Sequence, residues 1–192
     1  MTIRATKKQE SRKQILEAAA KRIRTEGING AGIAAVMDDA GLTHGAFYSH
    51  FENKDELARA ALVEALQNSR NGWTSKSTNT SWRERLAGLA KRYLTKAHRA
   101  NLSNSCALAT LCSEAARSDD AFKSTYESEL IKTLTEVAEQ DFDTLDEKQS
   151  QDVLAFMSLI VGSMVLSRAV KSRDLSDKLL IAGKNAANRI AD

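Results

Sequence analysis

Three histidines, two cysteines and one run of short polar side chains carry most of the chemical potential of this 192-residue chain. His44 and His50 lie close together, and His98 stands apart. The cysteines are Cys106 and Cys112. No His/Cys spacing matches a zinc site, and no glycine-rich phosphate loop is present. The one nucleophile–base pair on offer is Cys106 with His98. On a continuous helix they would stand about 12 Å apart, too far for proton transfer. A helical enzyme acting through Cys106 is therefore a remote reading. No catalytic residue, metal or cofactor is expected, and two cysteines do not make a disulfide framework in a chain this long.

The run Thr43-His44-Gly45-Ala46-Phe47-Tyr48-Ser49-His50 offers a different chemistry. On a short protruding helix, Thr43 and His44 can exchange hydrogen bonds with base edges. Gly45 permits close backbone approach, and Ala46 can meet a thymine methyl. Tyr48, Ser49 and His50 fall where phosphates flank a major groove, and Lys54 follows at the start of the next helix, where its charge adds to the positive end of the dipole. Charge agrees with this placement. Residues 1–54 hold nine Lys and Arg against six Asp and Glu, the rest holds 19 of each, and the whole net charge of +3 therefore sits in the first quarter. A basic arm of Arg4, Lys7, Lys8 and Arg12 leads into it. The competing reading is an ordinary helical hairpin with a solvated basic tail.

The elements that must hold these residues are helical. The chain contains no proline, and apolar residues recur at helical spacing throughout. Ile15, Leu16, Ala19, Ala20 and Ile23 predict a helix over 11–26, ended by Gly27. A short helix runs from Ile33 to Asp39, and Ala40-Gly41-Leu42 makes a tight turn with Gly41 able to take positive φ. Thr43 caps a second short helix to Ser49. Ile33, Val36, Met37, Leu42, Phe47 and Phe51 supply the inner face. Asn53, with Glu56, opens a helix to about Arg70. Residues 71–81 read as a loop holding Trp73. Ser81 and Glu84 then form a capping box for a helix carrying Trp82, Leu86, Leu89, Tyr93 and Leu94. A break at 99–105 precedes a helix over 106–117. Asp119 and Asp120 open a helix carrying Phe122, Tyr126, Leu130, Leu134 and Val137. After an acidic loop at 141–147, a long helix runs to about Lys171, and a last one spans 176–191. The expectation is an all-α chain of about nine helices: a three-helix helix-turn-helix domain over 1–54, and a helical ligand-binding and dimerisation domain over 55–192.

The segment Ala40-Gly41-Leu42-Thr43-His44-Gly45-Ala46-Phe47-Tyr48-Ser49-His50-Phe51-Glu52-Asn53-Lys54-Asp55-Glu56-Leu57 resembles the signature of TetR-family transcriptional regulators, whose pattern is aromatic-Tyr-X-His-Phe followed by Lys-Glu or Lys-Asp and Leu. The likeness covers about residues 11–57, and the helix layout agrees over the rest. It implies that Thr43, His44, Gly45 and Ala46 face bases and that Tyr48, His50 and Lys54 hold phosphates of a double-stranded DNA operator; Ser49 lies where phosphates flank the groove, and Arg12 of the basic arm can add a phosphate or minor-groove contact that the family pattern does not fix. The family places Thr where Gly32 stands. Without a hydroxyl there, only the Gly32 backbone N–H is left to serve a phosphate.

The resemblance also implies a homodimer through the last two helices and a chamber for a small-molecule effector. The apolar run Val153–Leu166 can pack on two sides, and Gly162, Ser163, Gly183, Ala186 and Ala187 permit close helix approach. The expected chamber residues are Trp73, Trp82, Tyr93, Cys106, Leu111, Tyr126, Phe156, Met157 and Ile160, suited to a hydrophobic or aromatic effector. Each is also a plausible core residue. The stretch from Ser105-Cys106-Ala107-Leu108 to Ser113-Glu114-Ala115 resembles family branches whose cysteine at this helix start senses oxidants or electrophiles. That makes Cys106 a redox-sensor candidate, or else a small buried hydrophobe. The apolar run is too short to span a bilayer and is interrupted by Ser158, Gly162 and Ser163. Residues 1–14 are polar, so a cytoplasmic soluble repressor without membrane contact is the expectation.

Overall fold

In a computed structural model that describes residues 3–74 and 81–190, with side chains described from residue 5 onward, every regular element is helical. The α-helices are α1 (Ile3–Gly30), α2 (Ile33–Asp39), α3 (Lys54–Trp73), α4 (Trp82–Tyr93), α5 (Lys96–Ala100), α6 (Ala107–Ala115), α7 (Asp120–Ala138), α8 (Glu147–Ala169) and α9 (Arg173–Ala187). Two 3-10 segments, His44–Ser49 and Phe142–Thr144, complete the described residues.

Helix α1 begins well before the apolar stripe: residues 5–10 are exposed and include the good helix formers Ala5, Lys7, Lys8, Gln9 and Glu10, which need no buried face. Its stripe of Ile15, Leu16, Ala19, Ala20 and Ile23 is buried as the spacing requires. At Gly27 the backbone leaves helical geometry, with φ 78° and ψ 177°, a region that only glycine enters freely. The chain then takes one further turn to Gly30. Helix α3 also outruns its expected end. Asn71, Gly72 and Trp73 are helical, not loop, because buried Trp73 packs edge to face on Tyr93 at 4.9 Å between ring centres. Residues 75–80 of the expected loop, the Arg4 side chain and Ala191 lie outside the described residues.

The caps expected at α3, α4 and α7 form, and Asp146 caps α8 in the same way. Asn53, Asp119 and Asp146 each accept a hydrogen bond from the third residue of their helix, and Ser81 with Glu84 forms the capping box. The expected break begins earlier than 99: α4 stops at Tyr93, and Thr95 caps the single turn of α5. Helix α9 starts at Arg173, capped by Ser172, ahead of the expected Ser176.

Helix α1 packs on α3 and α6, α3 on α7, and α8 on α9, with α4 against α9. One continuous core runs from Phe47 and Phe51 through Leu57 and Leu66 to Tyr93 and Phe156. As a 23-residue whole, α8 is long and apolar enough to cross a membrane by length and composition, which the apolar run alone did not suggest. In the fold, Val153, Phe156, Met157, Ile160 and Met164 are buried against its neighbours.

Gly183 belongs to this packing. A Cβ there would stand 2.8 Å from Leu94 Cδ1 and closer still to the Ser163 hydroxyl. Gly183→Ala therefore gains about 1 kcal/mol of helix propensity but meets overpacking of about 1–3 kcal/mol. The expected net result is a Tm lower by a few degrees in thermal unfolding, although alanine is the better helix former.

Candidate nucleic-acid interface and apolar groove

The turn between α2 and the recognition segment His44–Ser49 is closed by backbone bonds from Gly41 N–H to Asp38 O and from Leu42 N–H to Met37 O, with Gly41 at φ 67°. Val36, Met37, Phe47 and Phe51 are buried beneath it, and Phe47 stacks on Phe51 at 5.7 Å. The outer residues stay in solvent: Thr43, His44, Gly45 and Ser49 are exposed, and Tyr48 is 64% exposed. Gly45 has open space around it. Ala46 is half-buried. The segment is 3-10 rather than α-helical, with bonds from Ala46 N–H to Thr43 O and from His50 N–H to Phe47 O. Thr43 stands at the N-cap, but its hydroxyl makes no capping bond. That corrects the expected cap and leaves the hydroxyl for another partner.

Around this edge sit the cations. The Arg12 guanidinium lies 5.1 Å over the Phe51 ring. His50 packs beside the same ring. Burial first, and then Lys8 and Arg12, hold the His50 pKa below the ordinary histidine range. Lys54 Nζ donates to the carbonyl of Asn29 at 3.3 Å. Ser49 donates to Ala46 O at 2.7 Å. Gly32 is the N-cap of α2, and its N–H already donates to Gly30 O at 2.9 Å. The backbone contact left open to Gly32 in the sequence reading is therefore occupied.

The chamber residues do not converge. Tyr126 and Met157 border an apolar groove of about 640 Å³ between α6, α7 and α8, together with Leu108, Cys112, Leu130 and Val161. Tyr93, Leu111, Phe156 and Ile160 are core residues. Trp82 is half-buried and donates to Asp152 at 3.2 Å. Trp73 and Cys106 border a separate polar cavity of about 280 Å³ with His98 and Asn101. Cys106 is the N-cap of α6, not a member of its first turn, and is 2% exposed. The chain does fold back there. His98 Nε2 accepts from the Cys106 N–H at 3.1 Å while Nδ1 pairs with Tyr93 O at 2.7 Å. The imidazole thus serves the Cys106 backbone and fixes its own tautomer. The Tyr93 hydroxyl has no hydrogen bond of ordinary geometry, yet burial and then neighbouring Cys106 push its pKa well up. The exposed thiol is Cys112, on the groove wall. Its exposure was not readable from spacing: Ala107, Leu108, Ala109, Leu111 and Ala115 are all buried on α6, and Cys112 falls between Leu108 and Ala109 around the helix.

A protruding polar edge on a buried aromatic frame, with a helical body behind it, defines a helix-turn-helix protein. Residues 15–61 match the family described as bacterial regulatory proteins, tetR family. The regulator TtgR of Pseudomonas putida is 44% identical over 62 residues, which are 31% of this chain and 30% of that protein. A TetR-family regulator from Cytophaga hutchinsonii shares the fold with a TM-score of 0.72 at 20% identity, covering 94% of each chain. AibR, solved with isovaleryl coenzyme A and operator DNA, superposes with a TM-score of 0.63 at 14% identity, covering 92% of this chain and 97% of that one. Residues 15–61 thus carry the tetR-family DNA-binding signature, and the chain as a whole shares the fold of solved TetR-family proteins; the proteins it resembles are described as regulators. The match to the curated relatives spans under a third of their length, and beyond it the likeness is one of fold.

Proposed function

We propose that the chain is a homodimeric repressor that binds a palindromic operator and is released by a small hydrophobic or aromatic effector. The observation that carries this reading is the exposed row Thr43, His44, Gly45 and Tyr48 above buried Phe47 and Phe51. Side chains on the leading edge of such a segment reach base edges, while Arg12, His50 and Lys54 flank it for phosphates. One motif covers too little DNA for tight specific binding, and two motifs about 34 Å apart meet successive major grooves. Leu175 and Ile181 on α9 are large exposed apolar side chains, which suits a second copy packing on this face, whereas exposed Leu154, Val165 and Leu166 of α8 border the apolar groove. Gly183 and Ala187 are spent inside the chain, while Gly162 opens onto free space. The groove beside α6 gives the effector an apolar site. The test is equilibrium binding of the full chain to DNA flanking its gene, with the mass of the complex measured. Two protomers on one sequence-specific site support the reading. Binding that is independent of sequence, or a single protomer per site, contradicts it.

A pH dependence follows from His50. In the unbound chain its cation is disfavoured, whereas a phosphate at the ring favours the charged form and raises its pKa. The complex then holds more protons than its parts, so affinity rises as pH falls through the histidine range. The limit is about tenfold per pH unit for one coupled proton. In fluorescence anisotropy titrations between pH 8 and about pH 5.5, this rise is expected in the wild type and should flatten in His50→Gln.

A further inference from the structure

The end of α3, the end of α4, the single turn of α5 and the segment leading into α6 enclose the polar cavity of about 280 Å³. It shares no lining residue with the apolar groove. Its floor is buried: Trp73 is 6% exposed and Cys106 is 2% exposed. Its rim is open, since Arg92, Asn101 and Asn104 are exposed. A closed floor under a polar rim is the form of a small-molecule site.

Donors outnumber acceptors along this wall. His98 spends both ring nitrogens, one on Tyr93 O and the other on the Cys106 N–H. Burial above all holds its pKa below the ordinary histidine range, so the ring adds no charge. Asn101 Oδ1 accepts from the Ser103 hydroxyl and from the Asn104 N–H, which leaves the Asn101 Nδ2 group to donate. The Trp73 carbonyl accepts from Arg92 Nε at 3.0 Å. The Trp73 indole N–H, by contrast, is buried and has no partner. A buried indole N–H is normally bonded, and an unpaired one is costly. The Arg92 guanidinium brings a full positive charge, and among the described residues no carboxylate lines the cavity.

We propose that this cavity binds a small organic monocarboxylate, with the Trp73 indole N–H as its buried donor, Asn101 Nδ2 as a second donor and Arg92 as its cation. The unpaired indole selects a hydrogen-bond acceptor. The guanidinium then favours a charged acceptor over a neutral one. The volume falls just under the range of about 300–1,000 Å³ that holds drug-sized ligands, so the acid is limited to one ring or a short chain. The site is independent of the groove, and either can hold a ligand without the other.

Benzoate is the probe and benzamide its uncharged counterpart, each titrated into the full chain by isothermal titration calorimetry at constant ionic strength. Benzoate is expected to bind with a Kd on the order of 1 mM or tighter, and benzamide about tenfold more weakly. Trp73→Phe keeps a ring against Tyr93 and loses the N–H, so its benzoate affinity should fall by about tenfold. Arg92→Gln should narrow the preference for benzoate over benzamide. Gly162→Leu puts a side chain into the open space of the groove and should leave benzoate binding unchanged. Proton–nitrogen correlation spectra read the donor without altering it. The Trp73 indole signal, identified by its survival in Trp82→Phe, should move downfield with benzoate at the calorimetric midpoint. Absence of benzoate binding, equal benzoate affinity in wild type and Trp73→Phe, or an unmoved Trp73 signal would overturn the proposal. Loss of benzoate binding in Gly162→Leu would overturn it too and move the acid to the groove.

Discussion

Phe47→Ala is expected to lower the folding stability of the chain by about 3–5 kcal/mol. The ring is fully buried, stacks on Phe51 and meets Tyr48 edge to face at 5.2 Å. Alanine leaves a cavity beneath a six-residue 3-10 segment that has few bonds of its own to hold it. Chemical denaturation monitored by circular dichroism measures the loss. The neighbouring substitution Tyr48→Ala should behave in the opposite way. Its side chain is largely in solvent, so stability should change by no more than about 0.5 kcal/mol. DNA binding should nevertheless weaken in both variants. In Phe47→Ala it is lost with the fold of the motif, and in Tyr48→Ala it is lost from an intact motif. Comparable destabilisation by the two substitutions would contradict the division into buried frame and exposed reader.

The second large effect lies at the α3–α7 contact. Arg70 is buried and pairs through NH1 with Glu129 at 3.1 Å and through Nε with Glu136 at 2.9 Å. Its NH1 also reaches the Glu129 carbonyl, while Thr74 donates to Glu136. The Glu129 side chain is 1% exposed, with Lys132 at 2.5 Å as its further cation. Arg70→Met removes the central donor and leaves the buried Glu129 carboxylate with Lys132 as its remaining cation. Breaking a buried pair from one side costs about 3–5 kcal/mol, which corresponds to a fall in Tm of roughly 6–20 °C for a chain of this size. The double variant Arg70→Met/Glu129→Met should recover most of that loss, because a matched apolar pair is often as stable as the buried ions it replaces. A double variant no better than the single one would show that the network holds α7 in register through geometry that packing cannot replace.

Much of this was legible in the residues themselves. Val36, Met37, Phe47 and Phe51 are apolar at positions where two short helices must face inward, and all four are buried. Capping residues marked the starts of α3, α4, α7 and α8, because a side-chain acceptor three residues ahead of an N–H is a local device. The groove was less legible. Helix α8 is apolar almost all round, so its spacing does not say which side faces the core. Phe156 and Ile160 turned inward, while Leu154, Val165 and Leu166 faced out. Tyr93 has the look of a chamber wall but is buried, with its ring edge to face against Trp73 and His98. Glu114 carried no local signal, since its partner Ile28 is 86 residues away in the chain. Only tertiary structure brings those two together. The Gly27 kink was readable as a helix end but not as a bent continuation, because the extra turn depends on that same distant carboxylate.

The most direct measurement is a competition titration. Wild-type protein and the variants His44→Ala and Tyr48→Ala are bound to the specific DNA fragment at fixed salt, against a scrambled fragment of equal length. If the recognition segment reads sequence, His44→Ala should keep most of its non-specific affinity and lose about 1–3 kcal/mol of specific binding, roughly a factor of 5–150, whereas Tyr48→Ala, which removes a phosphate contact, should weaken binding to both fragments alike. Specific binding that survives both substitutions at wild-type strength would place DNA recognition elsewhere on the molecule.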